Sequence, residues 1–474
     1  MPLCHTSEGR TIRSIGAVAP DEGTSVRVED WMATPVMLEG LTGADAAIWQ
    51  DLDVIERCAI ETAKGKAVCA TPRGSRYPYV YPRDNAQCAR ALGKLVTYSS
   101  QPAIVDRSFT LLEEIARYLL AVQRPDGFWG QRYDVDGNDR AIYRQEDNIA
   151  LGMSALLDYL YAAEWLERIP DWAPRIRDAV EAAAAYAIEH HYRSEINLFY
   201  GTTSIHESRL VQGYDIWTNF AYLRAFTRAF HVSSGWGGFN DWFPTIKEFC
   251  RQFEDAVFRI FVHDGRYVRR IDPKGMYDER PDFIVLSPFY FGFLNRNGDA
   301  QQASAEAIEA ELWDPELGGL QRYLPYTEDF TCHTHSGAGP WLDYTAVLAQ
   351  FKYVTGRGVE GDAIMDLIES YRTEEGYIAE HLTTPRRFKH FFATQWDTGM
   401  DFEKEFDREC LLPNVPFDLI VEELTHMRDA YHRVKQTVER DPTVRYLRFA
   451  TPLMRAHAEH ALALLARQQF AART

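Results

Sequence analysis

The sequence predicts an all-α protein in which six antiparallel helix pairs close into a double ring, an (α/α)6 barrel (toroid) with no large β-domain. Three observations favour this fold. Helical periodicity of apolar residues dominates the chain from about residue 43 onward. Strand-like alternation is scarce, and no glycine-rich phosphate loop follows a strand. Polar, aromatic stretches precede every second helix, as expected where inner helices begin on one face of a barrel.

Amphipathic periodicity places the helices within one long domain. Residues 1–42 are polar and aperiodic, which predicts an N-terminal arm or a short strand pair, and 43–474 is expected to form the barrel. The third helix is typical, because Leu112, Ile115 and Leu119 share one apolar stripe. The periodic stretches run over 43–64, 84–98, 106–123, 146–168, 173–192, 214–232, 241–260, 283–294, 300–312, 338–356, 361–373, 417–438 and 451–470.

The loops that lead into the even-numbered helices carry unusual side chains. The stretch "YVYPRDN" comes before the second predicted helix, "YRQEDN" before the fourth and "SIHES" before the sixth. "ERPDF" precedes the eighth, "GGLQRY…HSGAGPW" the tenth, and "EEGYIAEHL" lies well before the closing helix. The helix that begins at 417 interrupts this alternation, so residues 384–447 are expected to form an insertion.

Composition and charge argue against several classes of partner. The 474 residues include 51 Lys and Arg but 69 Asp and Glu, so the formal net charge is −18. Such a chain is not expected to bind nucleic acid or an anionic membrane. No apolar run is long enough to span a bilayer, and the first residues lack the apolar segment of a secretion signal, which favours a cytoplasmic protein. Seven scattered cysteines fit reduced thiols better than a disulfide framework.

The polar loops contain the side chains that hydrolysis of a glycoside requires. The reaction needs one protonated carboxyl for the leaving oxygen and one carboxylate that activates water or attacks carbon. Polar groups hold the sugar hydroxyls, and aromatic rings pack on the apolar faces of the sugar. A single Asp at a helix start is more often a helix cap, so only the combined set is informative. The loops supply Arg83, Asp84, Gln145, Glu146, Asp147, Glu207, Arg322, Trp341 and Glu380.

These loops resemble motifs of the glucoamylase family of inverting α-glucosidases, glycoside hydrolase family 15. "YVYPRDNAQCARAL" looks like the family's aromatic run that ends in Arg-Asp, and "YRQEDNIALGM" is similar to its Gln-x-Asp motif. "GGLQRY…GAGPWLDYTAVLAQF" has the Arg-Tyr and Gly-Pro-Trp pattern, and "EEGYIAEHL" has the motif of the catalytic base. The resemblance covers 45–383 and 447–470. It implies the barrel fold and cleavage of α-glucosidic bonds from the non-reducing end.

Two stretches compete for the position of the catalytic acid, Glu207 in "SIHES" and Thr218 in "YDIWT". In the family, the acid stands well before an Arg-Ala segment of the next helix. Arg224 follows Glu207 by 17 residues but follows Thr218 by only 6, so a helix would begin inside the second motif. A threonine hydroxyl is also too weak an acid to protonate a leaving group near neutral pH. The sequence therefore predicts Glu207 as the acid and assigns Asp215, Trp217 and Thr218 to the sixth helix.

The resemblance also implies roles for the other residues. Glu207 would protonate the bridging oxygen, and Glu380 would deprotonate the attacking water. Arg83, Asp84 and Arg322 would hold the hydroxyls of the terminal glucose. The remaining expected contacts with the substrate are Gln145, Glu146, Asp147, His206 and the stacking rings of Trp129 and Trp341.

Several positions depart from the family's motifs. His206 replaces the Trp that usually precedes the acid, and Pro82 stands where Thr or Ser is common. Ala379 and His381 flank the base where Pro and Gln are frequent. Neither a large N-terminal β-sandwich nor a starch-binding module is expected within these residues. These departures favour short soluble oligosaccharides or a glucosylated small molecule as substrate.

Two other classes of function remain open. An inverting phosphorylase on the same barrel would use phosphate in place of water, although it needs no base at Glu380. A non-catalytic sugar-binding regulatory protein would not need both glutamates. No cofactor or metal is expected, since "DVDGND" (134–139) favours a polar turn over a calcium loop and "CHTH" (332–335) a cleft loop over a zinc site. The expected partner is a small carbohydrate, and the oligomeric state is open.

Overall fold

The computed structural model describes residues 41, 43–72, 78–207, 211–236, 238–239, 242–324, 339–391 and 410–474. The arm or strand pair expected at 1–42 and the "CHTH" stretch therefore lie outside the described residues. In chain order the α-helices are α1 Gly43–Arg57, α2 Pro82–Tyr98, α3 Pro102–Val122, α4 Asp147–Trp165, α5 Ala173–His190, α6 Ile216–Trp236, α7 Phe243–Ile260, α8 Ser287–Tyr290, α9 Gly298–Leu312, α10 Leu342–Val354, α11 Gly358–Ser370, α12 Pro385–Phe391, α13 Phe417–Arg440 and α14 Met454–Ala471.

Short antiparallel strands connect the helices, and none forms a large sheet among the described residues. The pair β10–β11 matters most for the site, with His381 opposite Phe449. The strands are β1 Ala59–Thr62, β2 Gly65–Val68, β3 Tyr192–Arg193, β4 Leu198–Phe199, β5 Tyr214–Asp215, β6 Val262–His263, β7 Arg266–Tyr267, β8 Arg270–Ile271, β9 Tyr277–Asp278, β10 His381–Thr383 and β11 Leu447–Phe449.

Alternate helices form the inner ring of a barrel, which confirms the all-α toroid. α2 packs between α4 and α14, α4 packs against α6, and α10 packs against α14. α6 contacts α8, and Phe289 of α8 meets Phe351 of α10 edge-on at 5.1 Å between ring centroids, which closes the ring. α1, α3, α5, α7 and α11 pack outside these helices. Within the part of the chain that the structure describes, no helix has the length and apolar character that a membrane crossing requires.

The inner and outer helices differ in what they bury. α4 is surrounded on all sides, so polar residues such as Asn148, Ser154 and Asp158 lie in the interior with the apolar ones. The outer helix α7 instead exposes Glu248 and Arg251, which pair with each other at 2.6 Å. The inner helices therefore carry polar side chains that must find partners inside the barrel.

Paired charges cross the barrel interior near the middle of the inner helices. Nη2 of Arg224 donates to both carboxylate oxygens of Asp158 at 2.7 Å. Arg90 pairs with Glu459, whose second oxygen accepts the Tyr290 hydroxyl at 3.0 Å. Because buried charges are stable only when paired, these contacts fix the inner helices relative to one another. These ion pairs lie between the two ends of the barrel. The inner helices begin at one end and finish at the other.

Two predicted helices differ from the observed elements. The helix expected over 43–64 ends at Arg57, because Gly65 adopts φ +112° and closes the β1–β2 hairpin. The helix expected over 283–294 is a 3-10 turn at Phe283–Leu286 followed by the single turn α8. Gly292 at φ +95° stops it, so α8 is far shorter than the other inner helices.

Candidate active site at the N-terminal mouth of the barrel

The first turns of the inner helices bring most of the predicted site residues to one mouth of the barrel. Tyr81 is extended, with φ −100° and ψ 121°, and Pro82 occupies the first helical position of α2. Proline suits this position because its missing N–H would be unsatisfied there in any case. Arg83 and Asp84 follow in the first turn, and Asp147 begins α4 in the same way. The loop chemistry thus places charged side chains where the barrel opens.

Glu207 is held in an uncommon backbone conformation. It follows a single 3-10 turn, Ser204–His206, with φ +51° and ψ +31°. A left-handed glutamate costs about 1–3 kcal/mol and persists only where neighbouring contacts enforce it. Here Thr218 Oγ1 donates to Ser204 Oγ at 2.9 Å, and Ser204 Oγ donates to Asp215 Oδ1 at 3.1 Å. The start of α6 therefore supports the turn that presents Glu207.

Three donors converge on one oxygen of Glu207. Oε1 accepts hydrogen bonds from Nη2 of Arg83 at 3.1 Å, Nε2 of Gln131 at 3.1 Å and Nε2 of Gln145 at 2.8 Å. With three hydrogens directed at Oε1, a proton on this carboxyl belongs on Oε2. The side chain stays about one-fifth exposed while Arg83 beside it is mostly buried, so Glu207 can meet a substrate.

Two nitrogens of the Arg83 guanidinium group lack a hydrogen-bond partner among the described residues. Its Nε and Nη1 have no hydrogen-bond partner in the described part of the chain. Burial lowers the pKa of Arg83, but the nearby carboxylates of Glu207, Asp147 and Asp84 outweigh this and raise it above its ordinary value. These two nitrogens are buried, so the contribution of Arg83 at the mouth is its permanent charge, held 3.1 Å from Glu207.

The backbone of Glu380 is fixed between two elements. Its N–H points at the carbonyl oxygens of Phe449 at 3.0 Å and Ala450 at 3.1 Å, just before α14. Its carbonyl accepts the Leu342 N–H at 2.9 Å, where α10 begins. The loop before Glu380 is anchored as well, since the Ile378 N–H donates to a ring nitrogen of a buried histidine of α14 at 3.0 Å.

Arg455 joins three carboxylates of the mouth. Nη2 donates to Glu380 Oε1 at 2.7 Å, Nη1 donates to Asp84 Oδ1 at 2.9 Å, and Nε lies 2.9 Å from Asp343 Oδ2. Burial raises the pKa of Asp343 to about 7, and Glu380 adds to this effect against Arg455. Burial alone would lower the pKa of Arg455, but Asp343 and Asp84 hold it well above its ordinary value.

One short series of contacts therefore links the two predicted catalytic carboxyls. Glu207 binds Arg83, the next residue Asp84 binds Arg455, and Arg455 binds Glu380. The two glutamates come from separate loops, yet both lie at the N-terminal mouth and depend on the first turn of α2. Both also remain partly exposed, Glu380 at 13% of its side chain.

Trp341 and Arg322 lie at the same mouth, but both side chains are buried and pack against the residues that form it. Trp341 is only 3% exposed, and its ring stacks on Tyr344 at 5.4 Å and on His381 at 4.8 Å. The Arg322 guanidinium lies 4.7 Å from the Trp341 ring centroid and donates to the Ile205 carbonyl, two residues before Glu207. Little of the Trp341 ring is therefore exposed for a sugar to stack on. The ring instead positions the Arg322 guanidinium.

His206 is buried and does not offer a stacking surface. Its Nε2 lies 2.8 Å from Asp282 Oδ2, and its ring meets the edge of Tyr323 at 4.9 Å. Burial lowers the pKa of His206 to about 4, although Asp282 acts in the opposite direction. The residue therefore ties the turn before Glu207 to the start of the short α8 segment.

The "YRQEDN" motif places its polar side chains at different depths. Gln145 reaches Glu207 directly and accepts from Asn148 at 3.2 Å. Glu146 is buried behind it and accepts the Thr203 N–H at 3.4 Å. Of the pair, only Gln145 contacts a predicted catalytic carboxyl.

The "YDIWT" stretch and Asp147 support the site from inside the barrel. Asp147 is fully buried and accepts the Trp217 indole N–H at 3.1 Å, and burial raises its pKa to about 6. Thr218 lies in α6 as predicted, but Asp215 forms part of β5, before the helix begins at Ile216.

Trp129 does not have the position expected of a stacking surface. Its ring is fully buried, and its indole N–H donates to the Leu119 carbonyl at 3.0 Å. A Cβ at Gly152 of α4 would lie 2.6 Å from the ring, which shows how closely the helix packs against it. Trp129 is a core residue beneath the loop that carries Gln131.

Gln131, Asp343 and Arg455 contribute to the site but were not expected from the sequence. Gln131 stands two residues after Trp129 in the same loop, and a polar residue beside a buried ring was the available signal. Asp343 and Arg455 each occupy the first turn of an apolar inner helix, as Asp84 does. Their positions in that first turn could have identified them.

The turn at 134–139 is closed by its own side chains. Both carboxylate oxygens of Asp134 accept hydrogen bonds from Asn138 at 2.9 Å. Across the described residues, no group of three or more His, Cys, Asp and Glu could hold a metal ion.

Comparison with known proteins associates this fold with glycosidases. A glycosidase variant in complex with glucose superposes with a TM-score of 0.57 at 14% identity, covering 90% of this chain and 99% of that one. Glucoamylase from Saccharomycopsis fibuligera gives 0.55 at 14% identity, covering 91% and 95%. A bacterial glucoamylase complexed with acarbose gives 0.55 at 15% identity, covering 90% of this chain and 56% of that one. At these identities the likeness establishes the fold.

Sequence comparison finds a relative over part of the chain. An uncharacterized glycosyl hydrolase of Methanocaldococcus jannaschii is 26% identical over 291 residues, which are 61% of this chain and 42% of that protein. The match therefore spans less than half of the relative's length. No family model matches the sequence.

Proposed function

We propose that this chain is an inverting, exo-acting glycoside hydrolase that cleaves α-glucosidic bonds of short oligosaccharides or of a small glucoside. The observation that carries the proposal is the pair of partly exposed glutamates at one mouth, joined through Arg83, Asp84 and Arg455. Two carboxyl groups with different surroundings are what acid-base cleavage of a glycoside requires.

Glu207 is suited to the role of general acid. Its proton belongs on Oε2, because the three neighbouring donors occupy Oε1. Transfer of that proton to the glycosidic oxygen lets the bond between that oxygen and the anomeric carbon break. The leaving sugar or aglycone then departs as a neutral alcohol, and Glu207 is left as a carboxylate beside Arg83.

Glu380 is suited to the role of general base. Arg455 donates to its Oε1 and holds the carboxyl group in place at the mouth. This carboxylate takes one proton from a water molecule, whose oxygen attacks the anomeric carbon from the face opposite the leaving group. The proton gained by Glu380 and the proton lost by Glu207 balance over one turnover.

Arg83 and Asp84 favour a terminal sugar as the bound group. Their side chains lie at a mouth formed by loops, and ion pairs of Arg90 with Glu459 and of Arg224 with Asp158 cross the interior below them. A chain end fits such a closed floor, which supports exo-action. The neighbours solved with glucose and with acarbose support a glucosyl unit as that end.

Substrate and mechanism can be tested together. Maltose, isomaltose, trehalose, kojibiose and nigerose are incubated with the wild-type protein, with and without phosphate, and free glucose is measured. We expect phosphate-independent release of glucose from at least one disaccharide. Glu207→Gln and Glu380→Gln should lower kcat by about 10²–10⁴, whereas Glu375→Gln, an exposed glutamate of the same loop as Glu380, should not.

The same experiment separates the two other classes of function. Release of a sugar 1-phosphate only when phosphate is present would replace the hydrolase with a phosphorylase. Binding of a disaccharide without turnover in either condition would make the protein a sugar-binding regulator.

A further inference from the structure

The end of the barrel opposite the candidate active site contains a cavity of about 560 Å³. It is lined by the C-terminal turns of α2, α6, α10 and α14, and it opens where α8 stops at Phe291 and Gly292. Along α2, Lys94 of the cavity lies about 17 Å from Arg83, at ~1.5 Å per residue. A molecule in this far-end cavity cannot touch Glu207 or take part in bond cleavage.

The far-end cavity is cationic in an acidic protein. Its described lining contains Lys94, Arg224, Arg228 and Arg473 and no Asp or Glu, although the whole chain has a net charge of −18. Asp158 neutralises only part of this charge from behind, since it pairs with Arg224 at 2.7 Å and with Arg228 at 3.1 Å. The surplus of positive charge around an enclosed space favours an anionic occupant.

Lys94 is the cation of the lining that is available to pair with such an occupant. It makes no hydrogen bond and no ion pair with the part of the chain that the structure describes. Burial, with Arg90 and Arg224 nearby, lowers the pKa of Lys94 to about 7, against the opposing charge of Glu459. Lys94 is half-buried at the cavity wall, so an anion in the cavity can pair with its ammonium group.

The rest of the lining determines the shape of the ligand. Phe289, Phe291, Tyr353 and Phe470 form apolar walls, and the volume lies within the range of small-molecule sites. Arginine and lysine together are the usual ligands of a phosphate group, whose several oxygens can meet more than one cation. Aromatic walls beside those cations leave room for an organic body.

We infer that the far-end cavity binds a small organic phosphate monoester. Lys94 and the Arg224 side of the cavity hold the phosphate, and the aromatic walls hold the organic group. This site is independent of the proposed hydrolysis, because none of its lining residues contacts Glu207 or Glu380. It would give the barrel a second ligand at the mouth that faces away from the substrate.

Calorimetric titration tests the site with phenyl phosphate and inorganic phosphate as probes. The wild-type protein should bind phenyl phosphate at least about tenfold more tightly than inorganic phosphate, because the ring adds apolar contact. Lys94→Met should weaken phenyl phosphate binding about tenfold or more, since a charged hydrogen bond is lost. Lys274→Met, an exposed lysine on a surface turn, is the matched control and should leave binding unchanged.

Folding and activity are checked on the same variants. Lys94→Met should keep full glycosidase turnover and melt at the same or a higher temperature, because it removes an unpaired cation. If it does not fold, Arg473→Met, at an exposed position of the lining, should show the weakened binding instead. The inference is overturned if the wild-type protein binds neither probe at millimolar concentration, if both probes bind equally, or if the lining variants bind like the control.

Discussion

At the residue scale, Arg83 and Asp84 connect the two halves of the proposed reaction. They are adjacent in the first turn of α2, yet they face different partners, Glu207 and Arg455. Because Arg455 in turn holds Glu380, this turn of α2 connects the two glutamates. The two carboxyls can therefore be assigned different roles and tested separately.

The role of Glu207 as proton donor can be tested with leaving groups of different acidity. Glu207→Gln should lower kcat by orders of magnitude on a disaccharide, whose leaving alcohol needs protonation. A nitrophenyl α-glucoside departs as a stable anion, so the same variant should lose much less activity on it. Steady-state kinetics on both substrates gives the comparison. Glu380→Gln is the matched control and should slow both substrates alike, and an equal loss for Glu207→Gln would remove it as the acid.

Asp215 is expected to make the stability of the fold depend on pH. Burial raises its pKa from 3.8 to about 7, with hydrogen bonds from Thr218 and Ser204 and the charge of Asp147 as further influences. Between pH 4 and pH 7 the folded protein keeps a proton that the unfolded chain releases, so this carboxyl makes the fold less stable as pH rises. The expected slope is at most about 1.4 kcal/mol per pH unit.

The comparison with Asp215→Asn isolates that contribution, because the amide does not titrate. The melting temperature of the wild-type protein relative to Asp215→Asn should fall steadily between pH 4.5 and pH 6.5. A difference that stays constant, or that grows with pH, would show that Asp215 is ionised in the fold.

The sequence predicts some of these residues better than others. Glu207, Glu380, Arg83 and Asp84 could be found because their motifs resemble a known family. The burial of a side chain could not be predicted in the same way. An aromatic residue in a polar loop, such as Trp129, gives the same sequence pattern whether its ring faces the cleft or the core.

At the element scale, helix α13 of the expected insertion is tied to the rim of the mouth. Arg132 donates to Glu423 of this helix at 2.9 Å, and Arg132 is the neighbour of Gln131, which contacts Glu207. The Tyr79 hydroxyl donates to the adjacent Glu422 at 2.9 Å. The helix, which belongs to the expected insertion, is therefore connected to the loop that carries Gln131 and to the loop before α2.

Loss of the Arg132–Glu423 pair should loosen α13. Arg132 is 5% exposed at its side chain, so Glu423→Ala leaves a buried charge unpaired and should cost about 2 kcal/mol of local stability. Amide exchange in the first turns of α13 should accelerate about tenfold or more, and KM should rise. Glu439→Ala, an exposed position of the same helix with only a 3.9 Å contact, should change neither. Similar exchange in the two variants would contradict the tether.

The predicted elements were most accurate where the helix carries a strong apolar stripe. The amphipathic helices α5 and α13 begin at their predicted first residues, Ala173 and Phe417. The segment of α8 could not be placed from periodicity, because "PDFIVLSPFYFGFL" is apolar throughout and only Gly292 marks where the helix stops. The hairpin at 59–68 was missed because a single glycine closes it.

At the scale of the whole molecule, the barrel has two different ends. The N-terminal mouth collects carboxylates and arginines that bind one another, and the far end collects cations around a cavity. Between them, Asp158 and Glu459 are paired with arginines across the inner helices. The ring therefore keeps the proposed chemistry at one end, where Glu207 and Glu380 enter from loops that lead to different inner helices.

The stereochemistry of the product tests this account most directly. In an inverting enzyme the two carboxyls stand about 6.5–9.5 Å apart, which leaves room for water between the base and the sugar. If Glu380 acts on water and not on carbon, an α-linked substrate must release β-glucose first. Proton NMR recorded before mutarotation should show the β-anomer in excess in the first turnovers. Initial appearance of α-glucose, or a glycosyl group trapped on Glu380, would contradict the proposed mechanism.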